Sequence, residues 1–162
     1  MGIGLRTISS FEGGYTMKKS MRTALVLMLI CVFALTGCSI LSNAEKLETY
    51  ELGADSIPTV NSVVGERKVT GVQSGTGTGG TYKEYTYESQ TVTEDLIAYL
   101  IDGLLENNWH ALTNFNLNDI PGTAQLATES EDSEQIIIMD VTYEQDAYTI
   151  KLTKSKGTLT LN

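Results

Sequence analysis

Three alternating apolar segments joined by very short turns constrain this chain more than anything else in it. Residues 123–129 (TAQLATE), 135–143 (QIIIMDVTY) and 147–153 (AYTIKLT) are separated only by SEDSE and EQD. A parallel crossover needs a dozen or more residues, so connections of this length impose antiparallel neighbours. Upstream, residues 67–73 (RKVTGVQ) and 81–88 (TYKEYTYE) are rich in β-branched residues and tyrosine, and flank SGTGTGG, the pattern of a hairpin with a flexible tip. Residues 109–116 (WHALTNFN) form a further, weaker strand candidate.

Between these groups the period changes. Thr91-Val-Thr-Glu94 matches a capping box, with Glu94 and Asp95 at the positive end of the helix dipole. Leu96, Ile97, Leu100, Ile101, Leu104 and Leu105 then recur with helical spacing and predict one apolar face. Burying six such side chains contributes on the order of 10 kcal/mol gross, before conformational entropy is subtracted. The expected fold class is α+β, two-layer, with one main helix packed on an antiparallel sheet of about five to six strands in the order β-β-α-β-β-β.

The amino-terminal region predicts export. From Met17 the chain reads MKKSMRTALVLMLICVFALTGCS, a basic start, an apolar run and small residues, which is the grammar of a signal peptide. Leu35-Thr-Gly-Cys38 resembles the lipobox of bacterial lipoproteins. That resemblance implies a diacylglyceryl group on Cys38, cleavage just before it, and recognition of Leu35, Thr36 and Gly37 by the peptidase. Two acyl chains, at ~0.8 kcal/mol per buried CH2, hold a protein on a bilayer stably. An uncleaved anchor is the alternative, because the apolar stretch extends through Leu41 to about the minimum for a span. Residues 1–16 are read as an untranslated leader, since codons for Glu12-Gly13-Gly14 can spell a ribosome-binding sequence ahead of Met17; a longer signal region is the alternative. The expected organisation is therefore leader 1–16, signal peptide 17–37, lipidated cysteine and tether 38–56, and a single α+β domain 57–162.

A chain starting at Cys38 has 125 residues, enough for one domain with a modest core. Removing the four basic residues and one acidic residue that precede Cys38 leaves seven Lys or Arg and nineteen Asp or Glu, a formal net of −12. Such a surface repels phosphate backbones and anionic headgroups, which disfavours nucleic acid. Cys31 leaves with the signal peptide and Cys38 carries lipid, so no disulfide framework is expected.

Candidate chemistry is sparse. His110 is the only histidine and has no partner at ligand spacing. Glu129, Glu131, Asp132 and Glu134 cluster at one turn but lack the pattern of an EF-hand loop. Gly75-Thr-Gly77-Thr-Gly79-Gly80 matches G-x-G-x-x-G, yet a strand pattern follows it where a dinucleotide site needs a helix. Tyr85 and Tyr87 share one strand face and Tyr82 takes the other; such rings form binding platforms or pack on cross-strand neighbours. With Trp109 these tyrosines make up the expected binding surface, and no catalytic residue, metal or cofactor is assigned.

The capped helix, the tryptophan just after it and the terminal strand meander are similar to small uncharacterised lipoproteins of Gram-positive bacteria, over roughly residues 92–154, a resemblance that implies no activity. The function expected from these features is a non-catalytic binding or accessory module, anchored by lipid on the outer face of the cell membrane, with an envelope protein or cell-wall component as partner. The alternative is a small extracytoplasmic hydrolase or metal-dependent enzyme using His110 with acidic residues.

Overall fold

Alternation along the chain becomes alternation in burial. The computed structural model describes residues 43–77 and 79–160. Within them lie eight strands: β1 (Thr49–Leu52), β2 (Asp55–Pro58), β3 (Lys68–Gly77), β4 (Gly80–Glu88), β5 (His110–Ala111), β6 (Gly122–Glu129), β7 (Gln135–Tyr143) and β8 (Ala147–Lys156). β1 and β2 pair as a separate antiparallel hairpin, and the other six form one antiparallel sheet in the order β3-β4-β8-β7-β6-β5. Short helical segments complete a predominantly β, coarsely α+β architecture. Tyr85 and Tyr87 on β4, Tyr148, Ile150 and Leu152 on β8, and Ile137, Met139 and Val141 on β7 line the buried face.

Three expectations are corrected. First, the folded part starts earlier than residue 57. The stretch read as a tether contains β1, and Ala44, Tyr50 and Leu52 are buried in the core. Tyr50 and Leu52 alternate with the exposed Glu51, a strand pattern too short to register as one in the sequence.

Second, the helical run is not one regular α-helix. It begins as α2 (Val92–Leu96), following the short α1 (Val60–Val64), then widens into a π-helical stretch (Ile97–Leu104) and ends in a 3-10 turn (Leu105–Asn107). Val92, Leu96, Leu100 and Leu104, four residues apart, stay buried together with Tyr99, whereas Ile97 and Ile101 turn outward at 40% and 36% exposure. A turn closed by i to i+5 hydrogen bonds, such as the Leu105 amide to the Leu100 carbonyl, suits a four-residue spacing better than 3.6 does. The capping box is also absent: Thr91 makes no side-chain cap, and its hydroxyl donates instead to Asp95.

Third, residues 109–116 form a strand only at His110 and Ala111, with one further backbone bond from the Leu112 amide to the Gln125 carbonyl. Beyond them Asn116 folds back on itself, its side chain accepting from the Asn118 amide and donating to Asp119, the local turn chemistry by which Asn competes with a ladder. The β3–β4 hairpin, by contrast, pairs well into its glycine-rich run, as far as Gly77 opposite Gly80. Gly80 is indispensable there, because it has φ +119° and a Cβ would lie 1.9 Å from the Lys154 carbonyl oxygen. The expected leader, signal peptide and lipobox (Leu35, Thr36, Gly37, Cys38) lie outside the described residues.

Candidate functional site

The face of the sheet opposite the core carries three successive cross-strand rows. Thr86, Thr149, Thr142 and Thr123 are directly opposed across β4, β8, β7 and β6, with Thr86 and Thr149 hydroxyls 3.0 Å apart. Next comes a charged row, Gln73, Glu84, Lys151, Asp140 and Gln125, in which the Gln125 side chain donates to Asp140 at 2.7 Å. The third row runs Tyr82, Thr153, Ile138, Ala127 and His110. Lys151 sits 5.0 Å from the Tyr82 ring centroid, within cation–π range, and so joins two rows. A groove of about 610 Å³ opens over this face, lined in part by Gly77, Gly80, Gln125, Asp140 and Thr153.

Of the residues expected to form a binding surface, only Tyr82 faces this groove side. Tyr85, Tyr87 and Trp109 are buried. Tyr85 stacks on Tyr50 at 4.6 Å between centroids, Tyr87 on Tyr148 at 5.3 Å, and the hydroxyls of Tyr50 and Tyr87 hydrogen-bond to each other. Burial raises the Tyr50, Tyr87, Tyr99 and Tyr148 hydroxyls well above their usual range, so these rings are structural. Strand alternation did separate Tyr82 from the other two; which side faced the core was fixed by the upstream hairpin, with its Tyr50.

His110 is half-buried beside a groove of about 410 Å³ with Asn108, Thr128 and Glu129. It shares the outer face with Tyr82 but stands at the far end of the row, four strand spacings or roughly 19 Å away. Gly75 and Gly77 of the glycine motif lie on β3 and Gly80 opens β4, so a strand and not a helix follows the motif. Among the described residues no group of three or more His, Cys, Asp or Glu is arranged to hold a metal, and no helix is long and apolar enough to cross a membrane.

A second cluster was missed in the sequence. Lys154, on the core side of β8, donates to Asp55 at 2.5 Å, to Asp132 and to the Leu52 carbonyl at 3.0 Å. The Asp55 carboxylate also accepts from the Glu131 amide through Oδ1 and from the Ser130 hydroxyl through Oδ2, both at 2.7 Å. The Lys154 and Asp55 side chains are each only 6% exposed, and Asp132 is 43% exposed. Burial pushes the Asp55 carboxyl up, but hydrogen bonds from Lys154, Glu131 and Ser130 outweigh it and hold the group below its ordinary value. Burial likewise pushes Lys154 down, and its bonds to Asp132 and Asp55 more than reverse that. The signal was present: Tyr148, Ile150 and Leu152 set an alternation whose next member is Lys154, an inward lysine that needs partners.

Comparison with protein-family models, with curated proteins and with solved structures found no match to this chain.

Proposed function

We propose that this protein is a lipid-anchored, extracytoplasmic, non-catalytic binding module whose ligand lies across the outer face of the six-stranded sheet. Its anchor is a diacylglyceryl group on Cys38, and its ligand is a neutral glycan polymer of the cell wall. The helical segment at residues 92–107 serves as the second layer of the domain, leaving the opposite face free.

The observation that carries this proposal is the set of rows on that face, two of them polar throughout and the third beginning with Tyr82 and Thr153. Hydroxyls, a carboxylate–amide pair and one tyrosine ring are the groups that recognise polyhydroxylated rings, through hydrogen bonds and stacking. The acidic surface argues against an anionic polymer, because a formal net of −12 from Cys38 onward repels it.

The test is co-sedimentation of the protein with isolated bacterial cell walls. Replacing Tyr82 and Lys151 together by Ala is expected to weaken retention about tenfold, equivalent to ~1.4 kcal/mol. Glu106→Ala, an exposed change on the helical segment, is expected to leave it unchanged. Equal retention of the Tyr82/Lys151 variant, with its fold intact by circular dichroism, rejects the sheet-face site.

A further inference from the structure

The Lys154 cluster has more parts than an ion pair requires. A buried amine is pressed between two carboxylates on different elements: Asp55 at the start of β2 and Asp132 in the turn between β6 and β7. One of those carboxylates is further polarised by a backbone amide on one oxygen and a hydroxyl on the other. We propose that Lys154 and Asp55 condense spontaneously into an isopeptide bond, with Asp132 as the proton carrier.

The geometry assigns each part a role. Nζ lies 2.5 Å from Oδ2, and Cγ is the next atom beyond that oxygen, so a small shift of the lysine would bring it toward the roughly 3–3.5 Å at which reacting atoms attack. The Glu131 amide, 2.7 Å from Oδ1, is placed where negative charge develops when Cγ becomes tetrahedral. Ser130 donates to Oδ2, the oxygen that must leave. Asp132 also accepts from Nζ and remains partly open to solvent.

The step balances without a co-reactant. The Lys154 ammonium passes one proton to Oδ2 of Asp55, and the neutral amine attacks Cγ. As the C–N bond forms, a second proton moves from nitrogen to the Asp132 carboxylate, and Oδ1 becomes an oxyanion held by the Glu131 amide. Asp132 then returns its proton to the Oδ2 hydroxyl, the C–Oδ2 bond breaks, and one water departs. The products are an amide with one N–H and a regenerated Asp132 carboxylate. Burial at this depth opposes both charges, whereas the hydrogen bonds to Asp55 and Lys154 hold the pair ionised, so the first proton transfer is the uphill step of the reaction. The bond covalently joins the β1–β2 hairpin to β8 of the six-stranded sheet, two sheets that share no ladder hydrogen bonds.

The experiment is protease digestion and mass spectrometry of the purified full chain, unfolded after purification. The expected product is a branched peptide that joins the segments carrying Asp55 and Lys154 and is lighter than their sum by one water. Asp55→Ala and Lys154→Met are expected to give only linear peptides, and Asp132→Asn is expected to form the branched product at least tenfold more slowly. Localisation matters, because an Asp102–Gly103 succinimide loses the same mass but leaves its peptide linear. Linear peptides alone from folded wild-type protein overturn the proposal, as does a water loss that maps only to residues 102–103. An Asp132→Asn chain that crosslinks at the wild-type rate overturns the role given to Asp132. Since the deciding observation is made on the wild-type chain, a variant that fails to fold does not obscure it.

Discussion

Asp95 shows how much of this fold rests on single polar residues. Its carboxylate accepts five hydrogen bonds: two from Arg67 at 2.7 Å, one from Ser89 at 2.6 Å, one from Thr91 at 3.1 Å and one from Tyr148 at 3.3 Å. One side chain thereby ties the entry to β3, the loop after β4, the first helical turn and β8. Removing one member of a buried charged pair strands the other, so Asp95→Ala is expected to cost about 3–5 kcal/mol, read from urea unfolding midpoints. The exposed Lys68–Glu88 pair has a similar distance, 2.7 Å, and little leverage, since both side chains are well solvated. From the sequence Asp95 looks like a dipole-complementing residue in a first turn; its burial depends on Arg67 and Tyr148 arriving from 28 and 53 residues away, which no local pattern encodes.

At the scale of elements, the helical segment separates what periodicity reveals from what it hides. Spacing identified a helix beginning after Thr91 and reaching at least Leu105, and named most of the buried side chains, because Leu96, Leu100 and Leu104 occur on any helical face. It misassigned Ile97 and Ile101, since both lie beside the buried stripe on an ideal α-helix and only the wider turn moves them out. Leu100→Ala is therefore expected to destabilise the protein by about 2–5 kcal/mol, while Ile101→Lys changes stability by no more than ~0.5 kcal/mol, both measured by thermal unfolding. Strands β6 and β7 were legible almost to the residue and β8 in all but its last three, because alternation and short turns act locally. β1 was not, because a four-residue strand becomes recognisable only through the tyrosines it packs against.

For the whole molecule, the buried ionisable groups define a window of stability. Burial pushes the Asp95 carboxyl up, but bonds from Arg67 and Ser89, then the Arg67 charge and Thr91, hold it below the ordinary 3.8. A depressed carboxyl stabilises the fold above its unfolded value, and that contribution is lost as pH falls through the folded one. The buried tyrosines act in the opposite direction. Raised by desolvation from 10.0, Tyr50, Tyr87, Tyr99 and Tyr148 stabilise the fold fully below pH 10 and progressively less above it. Stability is expected to be flat between about pH 5 and 9, to fall below 3.8, and to fail cooperatively above 10 with tyrosinate absorbance appearing together with loss of the sheet. Tyrosinate absorbance beyond that of the four tyrosines outside this buried group, Tyr15, Tyr82, Tyr85 and Tyr143, that rises while circular dichroism is unchanged contradicts this.

The separate pairing of β1 and β2 has a mechanical consequence. A pull entering at residue 43 meets this hairpin first, and no backbone ladder passes the load from it to the six-stranded sheet. What resists is side-chain packing, with Tyr50, Leu52 and Ile57 in the core, together with the Tyr50–Tyr87 contact and the Lys154–Asp55 clasp. Left as hydrogen bonds, those contacts would let the hairpin peel away while the sheet stayed whole. Closed as an amide, the clasp would send tension directly into β8, a central strand bonded on both sides, and the domain would yield as one body or not at all.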